Sequence, residues 1–353
     1  MTCKQMDCGS AANGKLARGC QLCLEGAKMV LLVTGRCRAS CFYCPVSPEK
    51  KGRDVIYANE GRCQTDADVL AEAESMDALG TGITGGDPSE ALDRSVHYIQ
   101  LLKGHFGSQH HIHLYTSVIS LANAQRLEAA GLDEIRYHPP EALWTRMADT
   151  ELKAVVAGTH LAVGLEVPAL PGRETDLTAL FAYAHEAGVQ FINLNELEFS
   201  ESNWDMMAAH HYEVKDELTS AVKGSAETAL AVMAQYPNLR VHFCSSSFKD
   251  GVQLRQRLLR RANHIAQPYD VVTEDGTLVK GLVYADDLTA AADLLRTEYE
   301  VPDELIHLDA GRKRLEVAAW ILEEVGRELP FKCYEVEEYP TADRLEVERT
   351  PLN

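Results

Sequence analysis

Residues 37–44 read CRASCFYC, which places Cys37, Cys41 and Cys44 at a C-x3-C-x2-C spacing. The residues just upstream, 27–34, form a short apolar run closed by a glycine, the pattern of a fully buried strand. The three thiols are therefore predicted to lie in a loop at the carboxyl end of a first strand. That edge is where ligands bind in parallel α/β sheets and barrels.

Three thiols in one loop suit a metal or an iron–sulfur cluster, and their number is informative. A structural zinc site or a closed cluster takes four protein ligands. A loop with three thiols leaves one coordination position for another ligand. The alternatives, a chance group of buried cysteines or half of a zinc knuckle, do not explain why strand, loop and spacing agree.

The composition is that of an ordinary globular protein, with 353 residues, 46% of them hydrophobic and 25% charged. This length accommodates one barrel-sized domain and one or two small appendages. No apolar run is long enough for a membrane span and no signal-peptide pattern is present, so we expect a cytoplasmic protein without a membrane partner. Ten cysteines in such a chain favour metal binding in a reducing compartment over disulfides.

Residues 1–26 form a cysteine-rich segment with Cys3, Cys8, Cys20 and Cys23. Cys20 and Cys23 make a C-x2-C pair, the usual half of a tetrahedral zinc site, and the other two cysteines could supply the second half. Such a site requires the N-terminus to fold back onto the pair. Zinc, an auxiliary iron–sulfur cluster and free thiols remain open for these cysteines.

Strands and helices alternate after the cysteine loop. Glycines at 131 and 188 are predicted to end two of the helices. Six β/α units in a row predict a parallel sheet, closed or partly closed, with the helices outside. After the first strand, the predicted strands are 80–84, 111–116, 134–138, 161–167 and 191–198, and the clearest helices are 66–79, 122–130 and 176–187.

Polar residues and a glycine pair follow the predicted strands. A Gly-Gly pair at a strand end indicates a close backbone approach to a ligand or strained dihedral angles. A polar face inside a barrel needs hydrogen-bond partners, which favours a ligand at the same edge as the cysteine loop, although a structural role stays open for each residue. The candidates are Gly85, Gly86, Asp87, Pro88, Thr116, Ser117, Glu166, Asn193, Asn195 and Glu196.

The cysteine motif resembles that of the radical SAM superfamily, and Tyr43 is the aromatic residue which that family places before the third cysteine. The resemblance implies that Cys37, Cys41 and Cys44 hold three irons of a [4Fe–4S] cluster and that S-adenosylmethionine (SAM) binds the fourth. A reductant of the ferredoxin or flavodoxin type would supply one electron. Cleavage of SAM would then give methionine and a 5′-deoxyadenosyl radical that abstracts hydrogen from the substrate.

The same resemblance covers roughly residues 29–245 and implies a (β/α)6 partial TIM barrel. It also implies that the turn at 85–88 contacts the SAM amino group, but the family has Glu where this chain has Asp87. The side chain is one methylene shorter, which leaves direct contact open. Glu166 and Asn195 are candidates for the ribose hydroxyls or the methionine carboxylate of SAM.

Between the predicted barrel and the C-terminus, residues 205–235 read as a mostly helical connection and 241–247 as one more strand. His242 and Cys244 share a face of that strand, and ligand, hydrogen-donor and core roles stay open for both. The basic segment Arg255–Arg261 follows. It could bind the SAM carboxylate, an acidic peptide or RNA phosphate, or form a solvated face paired with acidic neighbours.

The last 88 residues have the pattern of a small α+β module. A hairpin is predicted over 269–284 around an Asp-Gly turn, followed by helices at 286–298 and 313–327 and by strands at 333–337 and 344–349. The predicted domains are 1–26, a cysteine-rich metal-binding segment; 27–265, a radical SAM partial barrel; and 266–353, an accessory module for substrate or cofactor.

Three functions stay open. The chain also resembles an archaeal branch related to pyruvate formate-lyase activating enzyme, which implies hydrogen abstraction from a protein or peptide. The second function is that of a cobalamin-dependent radical SAM methyltransferase, similar to those that modify a glutamine or arginine of methyl-coenzyme M reductase, although no D-x-H-x-x-G motif is present. The third is a non-enzymatic protein that binds zinc or a cluster. RNA modification is a minor alternative, because a net charge of −19 disfavours nucleic acid.

Overall fold

A computed structural model describes residues 3–353, and the chain forms two compact units. One unit runs to residue 74 and continues over 78–254, and the other comprises 75–77 with 255–353. The larger unit ends at residue 254, and residues 255–265 belong to the smaller unit. The sequence had placed the boundary at residue 265. No helix among residues 3–353 is long and apolar enough to cross a membrane.

The larger unit is built on an eleven-stranded sheet in the order β1-β2-β11-β10-β9-β8-β7-β6-β3-β4-β5. The seven strands from β11 to β3 in this order are mutually parallel, and antiparallel strands pair at both ends. The strands are β1 Lys4–Gln5, β2 Ala11–Asn13, β3 Lys28–Leu32, β4 Ile56–Ala58, β5 Gly61–Cys63, β6 Gly80–Thr84, β7 His111–Thr116, β8 Glu134–Tyr137, β9 Ala162–Ala169, β10 Phe191–Glu196 and β11 Val241–Cys244.

The expected alternation of strands and helices is present, with one more parallel strand than the six counted in the predicted β/α units. This seventh strand, β11, pairs in parallel with β10. The α-helices are α1 Arg18–Leu24, α2 Asp66–Ser75, α3 Leu92–Phe106, α4 Leu121–Ala130, α5 Leu152–Gly158, α6 Glu174–Ala187, α7 Trp204–Ala209, α8 Ser225–Gln235 and α9 Ser246–Phe248. Short 3-10 helices cover Asp7–Gly9, Pro88–Ala91 and Glu141–Asp149, and a π-helix covers Lys249–Leu254.

Helix ends follow the local sequence. Gly131 (φ 108°) and Gly188 (φ 78°) adopt the left-handed conformation at the C-termini of α4 and α6, as predicted, because glycine lacks the Cβ that penalises it. The predicted helical connection over 205–235 is wrong in its middle. Only α7 and α8 are helical there, and two isolated bridges pair residues of the intervening loop and its flanks.

The smaller unit is an antiparallel sheet in the order β14-β15-β13-β16-β17, with β12 paired to β13. Its strands are β12 Val271–Val272, β13 Leu278–Tyr284, β14 Ile306–Asp309, β15 Arg314–Val317, β16 Lys332–Glu338 and β17 Glu346–Pro351. Its helices are α10 Arg255–Ile265, the 3-10 turn Asp303–Leu305, α11 Leu288–Glu298 and α12 Ala319–Val325.

The Asp-Gly hairpin and the helix near 286–298 are confirmed in the smaller unit. The helix predicted over 313–327 is wrong in its first part, where Arg314–Val317 is the strand β15. This strand is buried between β14 and β13. Its Leu315 and Val317 alternate with charged residues and pack on the core, as expected for a strand with one face toward the core. Arg314 and Glu316 on its other face form a buried ion pair.

Candidate active site

A cavity of about 630 Å³ lies at the carboxyl ends of the parallel strands of the larger unit. Cys37, Cys41, Cys44 and Tyr43 line it. The predicted strand-end residues line it as well, with the exception of Asn193. Those residues are Gly85, Gly86, Asp87, Pro88, Thr116, Ser117, Glu166, Asn195 and Glu196.

The cysteine loop has little regular structure of its own. Within residues 37–44 of the described chain, a single backbone–backbone hydrogen bond runs from Cys44 N to Cys41 O at 3.2 Å. Burial raises the pKa of the Cys37 and Cys41 thiols, so they need a cationic partner to be held as thiolates. Three thiols around one cavity, with no other cysteine in its lining, fit an iron–sulfur cluster that has one open coordination position.

The glycine pair packs against the backbone that leads into the cysteine loop. A Cβ on Gly85 would lie 2.5 Å from the Thr34 carbonyl oxygen, and one on Gly86 would lie 2.3 Å from the Arg36 carbonyl oxygen. Gly86 N also donates to Thr34 O at 2.7 Å. The absent side chains therefore permit the end of β6 to contact the chain immediately before Cys37, which places the first cysteine beside the cavity.

The Asp87 carboxylate is occupied within the protein. Its Oδ1 accepts hydrogen bonds from Ser89 N at 2.9 Å and Thr116 Oγ1 at 2.7 Å. Its Oδ2 accepts from Ser117 N at 2.8 Å and Ser117 Oγ at 2.5 Å. These four hydrogen bonds fill the acceptor positions of the carboxylate. Asp87 therefore joins the ends of β6 and β7. The family resemblance had implied a contact to the SAM amino group at this turn.

Glu166 on β9 is the ionised acceptor of the cavity. Its Oε2 accepts from Arg136 Nη1 at 2.7 Å, and its Oε1 accepts from Asn195 Nδ2 at 3.0 Å. Burial alone would raise the pKa of this carboxyl, but the Arg136 charge and the hydrogen bonds from Asn195 and Arg136 lower it to about 2. The carboxylate is therefore negative at neutral pH and can accept hydrogen bonds from the hydroxyl or ammonium groups of a ligand.

Asn193 does not line the cavity, in contrast to the prediction. It precedes Asn195 by two residues on β10, so both side chains are on the same face of the strand. The Asn193 amide donates to Glu166 Oε2 and to Cys20 Sγ, both at 3.1 Å. Asn193 therefore holds the Glu166 carboxylate in place through a hydrogen bond from the interior of the unit.

Among the charged or titratable lining residues that sequence reasoning missed are His138 and Lys249. His138 is the last residue of the predicted strand over 134–138, so the rule that selected polar residues at strand ends could have found it. Lys249 begins the π-helix and forms an ion pair with Glu198, which also lines the cavity. The one signal for Lys249 in the sequence is its position at the start of the run 249–261, which ends in the basic segment Arg255–Arg261.

The four N-terminal cysteines are not brought into one site. Cys3 and Cys8 are exposed, Cys20 is buried, and Cys23 donates to Gln253 Oε1 at 2.9 Å. Among residues 3–353, no three His, Cys, Asp or Glu residues are arranged to hold a single metal ion. A cluster differs from a single ion, because each of its three thiol ligands binds a different iron. The physical reason is that residues 4–13 pair along the sheet edge next to β11, whereas α1 directs Cys20 toward the interior side chains of the strands.

Cys20 lies in a polar interior and not in a zinc site. Its sulfur accepts hydrogen bonds from Asn193 and, at 3.3 Å, from Arg136 Nη2. Burial raises the pKa of the thiol, but the Arg136 charge and the neighbouring His242 lower it to about 7. His242 and Cys244 are both buried on β11, and neither lines the cavity.

The basic segment Arg255–Arg261 does not line the cavity either. Arg255 donates to Asp275 Oδ1 at 3.1 Å and to Glu274 O at 2.8 Å, and Arg260 donates to Asp77 O at 2.8 Å. These partners belong to the same unit as the arginines. In these contacts the arginines pair with acidic neighbours, which was the alternative to binding the SAM carboxylate, an acidic peptide or RNA phosphate.

Comparison with known proteins finds a relative over nearly the whole chain. A protein of Methanocaldococcus jannaschii named "putative glycyl-radical enzyme activating enzyme" is 38% identical over 356 residues, which cover 96% of this chain and 93% of the relative. A family model described as a domain of unknown function (DUF8061) matches residues 276–352, within the smaller unit.

Solved structures give a fainter likeness. Streptococcus suis SuiB bound to the precursor peptide SuiA is 10% identical with a TM-score of 0.41, over 64% of this chain and 51% of SuiB. HydG, a maturase of the [FeFe]-hydrogenase, is 14% identical with a TM-score of 0.40, over 69% of this chain and 65% of HydG. At these scores the likeness supports no argument about this chain.

Proposed function

This chain belongs to the radical SAM enzymes, as does its 38% identical relative, and on that premise we propose that it activates a protein by hydrogen abstraction. The family implies a [4Fe–4S] cluster and SAM. The observation that carries the proposal is that Cys37, Cys41 and Cys44, and no other cysteine, line the cavity at the carboxyl edge of the sheet. Because the family consists of enzymes, the hypothesis of a non-enzymatic zinc or cluster protein is wrong.

When bound, the cluster and SAM would supply the chemistry, which is one-electron cleavage of a carbon–sulfur bond of SAM and abstraction of a hydrogen atom from the substrate. The three cysteines hold the cluster. Glu166 and Asn195 face the same cavity and offer a carboxylate and an amide to the ribose hydroxyls of SAM. Lys249 offers an ammonium group to the methionine carboxylate.

A protein substrate is supported by two observations. The relative is named as an activating enzyme of a glycyl-radical enzyme, so its name describes action on another protein. In addition, the segment after β10, which contacts the cysteine loop through Ser202 and Asn203, exposes large apolar side chains. Trp204 and Met206 are each 52% exposed and Leu218 is 94% exposed, so this segment offers apolar side chains that contact with a protein would bury.

The reductant in this proposal is a ferredoxin- or flavodoxin-type protein. Cobalamin-dependent methyl transfer, RNA modification and a zinc centre receive no support from the described residues. We therefore propose only the activating reaction, on a core of parallel strands that forms the partial barrel implied by the family.

The test is anaerobic reconstitution of wild-type protein and of the variants Cys37→Ala, Cys41→Ala and Cys44→Ala. Iron content, visible iron–sulfur absorbance and 5′-deoxyadenosine formed with dithionite are measured. We expect each variant to lose the absorbance and SAM cleavage, because a cluster loses one of its three protein ligands. The control is Cys3→Ala, at an exposed thiol outside the cavity, which keeps both properties. Cleavage of SAM by any of the three variants would refute the proposal.

The protein-substrate part has a separate test. Trp204→Ala and Met206→Ala are expected to keep wild-type cleavage of SAM in the absence of substrate, because neither side chain lines the cavity. With a glycyl-radical enzyme from the same organism as substrate, these variants are expected to produce less of its glycyl radical signal. Equal radical yield from wild type and both variants would contradict the assignment of this surface.

A further inference from the structure

The cysteine loop and the segment that follows it carry an excess of positive charge. Residues 36–54 contain five basic and two acidic residues, whereas the whole chain contains 34 basic and 53 acidic residues. Four of the five basic residues are exposed, and we call them the basic patch. They are Arg36, Arg38, Lys51 and Arg53.

Backbone hydrogen bonds bring the two halves of the basic patch together. Gly35 N donates to Arg53 O at 2.8 Å, and Gly52 N donates to Gly35 O at 2.7 Å. The segment that carries Lys51 and Arg53 therefore lies against the residue that precedes Arg36. The basic patch is thus formed by the folded connection between β3 and β4.

The two arginines of the cysteine loop have carboxylate partners that neutralise them only in part. Arg36 lies 3.7 Å from Asp54, which Arg94 contacts more closely, at 2.6 Å. Arg38 lies 3.1 Å from Glu90, but the arginine side chain is 89% exposed. Ion pairs this exposed are weak, so both arginines can contact a partner molecule.

The other two cations of the basic patch have no such partners. Neither Lys51 nor Arg53 forms an ion pair within the part of the chain that the structure describes, residues 3–353. Uncompensated surface charge attracts molecules of opposite charge and accelerates their association. The basic patch therefore suits an acidic partner, although the protein as a whole has a net charge of −19.

The basic patch includes both chain neighbours of Cys37, the cavity cysteine that is open to solvent. Cys37 is exposed, whereas Cys41 and Cys44 are partly buried. Its neighbours Arg36 and Arg38 are exposed as well. A molecule bound at the basic patch therefore approaches the proposed cluster at its Cys37 ligand.

The apolar segment proposed to bind the protein substrate contacts a different part of the loop. Ser202 and Asn203 donate to the carbonyl oxygens of Cys44 and Tyr43, at the end of the loop. That segment follows β10, whereas the basic patch follows β3, and four strands separate β3 from β10 in the sheet. The two surfaces are carried by different parts of the larger unit.

We propose that the basic patch is the docking surface for an acidic ferredoxin. This inference rests on the proposed function, which requires a one-electron reductant. At this surface the reduced ferredoxin gives up one electron and is oxidised, the electron passes to the cluster held by Cys37, and no atom is transferred. Plant-type ferredoxins are low-potential iron–sulfur proteins. Electron-transfer complexes have small, transient interfaces, which a patch of four residues matches.

The test compares a reduced acidic [2Fe–2S] ferredoxin with dithionite as electron donor to the reconstituted full chain. In Arg38→Gln/Arg53→Gln we expect the Kd for this ferredoxin, measured by calorimetry at low salt, to rise about tenfold, because two interface charges are lost. Ferredoxin-driven formation of 5′-deoxyadenosine should fall in parallel. The dithionite-driven rate should equal that of the wild type, because neither side chain lines the cavity and a small reductant needs no docking surface.

Arg38→Lys/Arg53→Lys retains both charges and should keep the wild-type Kd. The matched control is Arg18→Gln/Arg126→Gln, which removes two half-exposed, ion-paired arginines elsewhere in the larger unit and should leave the Kd and both rates unchanged. Added salt should weaken ferredoxin binding more in the wild type than in Arg38→Gln/Arg53→Gln.

An unchanged Kd in Arg38→Gln/Arg53→Gln would overturn the proposal. An equal loss of dithionite-driven activity would overturn it too, because the basic patch would then act on the cluster and not on docking. If the variant lost binding to single-stranded RNA but not to ferredoxin, the basic patch would be a nucleic-acid site. The Kd is measured without SAM, so a wild type that binds ferredoxin but does not cleave SAM with dithionite would contradict the proposed function alone.

Discussion

The larger unit contains two groups of cysteines with similar spacing and different surroundings. Cys41 and Cys44 lie in a loop at the carboxyl edge of the sheet, and their thiols line an open cavity. Cys20 and Cys23 have the same C-x2-C spacing on helix α1, where their thiols are hydrogen-bonded to side chains of the protein. The comparison shows that spacing identifies a potential ligand pair, whereas position relative to the sheet edge decides whether a cofactor can reach it.

The largest effect is expected where the Gly86 backbone packs against the chain that leads into the cysteine loop. A side chain at Gly86 would meet the Arg36 carbonyl oxygen at 2.3 Å, and this backbone cannot move without displacing Cys37. We expect Gly86→Val to lower the free energy of unfolding by about 3 kcal/mol and to reduce iron uptake. Chemical denaturation of the metal-free chain and iron analysis after reconstitution measure the two effects.

Gly104→Ala is the matched control for this substitution, because it lies in α3 with nothing within 4 Å of the added Cβ. It should stabilise the chain by at most about 1 kcal/mol, as alanine has the higher helix propensity. Wild-type stability together with full iron uptake in Gly86→Val would show that the glycine pair does not place the cysteine loop.

Glu166 connects the two regions, since Arg136 donates both to its carboxylate and to Cys20. Its folded-state pKa of about 2 is below the ordinary value, so the ionised carboxylate stabilises the fold above the unfolded pKa. That stabilisation is lost as the pH falls toward 2. The contribution at neutral pH is up to about 3 kcal/mol.

We therefore expect Glu166→Gln to be less stable than wild type at pH 7, with a difference that shrinks as the pH falls below about 4. Urea unfolding of the metal-free chain over this pH range is the measurement. Glu186→Gln, at an exposed carboxylate paired with Lys153, should show little difference at any pH. A deficit in Glu166→Gln that does not change with pH would rule out the ionised carboxylate as its cause.

The smallest effect is expected for substitutions of Cys20 and Cys23, the pair on helix α1. Cys20→Ala removes hydrogen bonds from Asn193 and Arg136 and should cost about 1–2 kcal/mol of stability. Cys23→Ala should cost less, because that thiol is only partly buried. Iron and zinc contents per chain should equal those of the wild type in both variants. A loss of iron or zinc would instead show that Cys20 and Cys23 belong to a second metal site.

Much of the fold could be predicted from local patterns. Buried strands and glycine-ended helices appear in the sequence as apolar runs and caps, and these predictions are confirmed for β3 and for the ends of α4 and α6. The strand β15 was missed because Arg314 and Glu316 read as solvent-exposed helix residues. Their burial depends on ion pairs with residues distant in the chain, such as Glu338.

The candidate site was predictable where its residues follow the ends of predicted strands. Cys37, Cys41 and Cys44, with the glycine pair and the strand-end polar residues, could be named because each follows a strand of a parallel sheet, and parallel strands end at one edge. The sequence by itself determined this alternation, the three-thiol loop and the family. These properties are local, since each depends on residues within a few positions of one another.

Only the tertiary structure decided what each side chain does. Asp87 accepts hydrogen bonds from Thr116 and Ser117, although the family resemblance suggested a ligand contact for it. Asn193 donates to Glu166 and Cys20, although its place on a predicted strand suggested a ligand contact. His138 reaches Tyr43 across 95 positions of sequence. Hydrogen bonds form between groups that packing brings within about 3 Å, and that proximity is set by the arrangement of strands and not by distance along the chain.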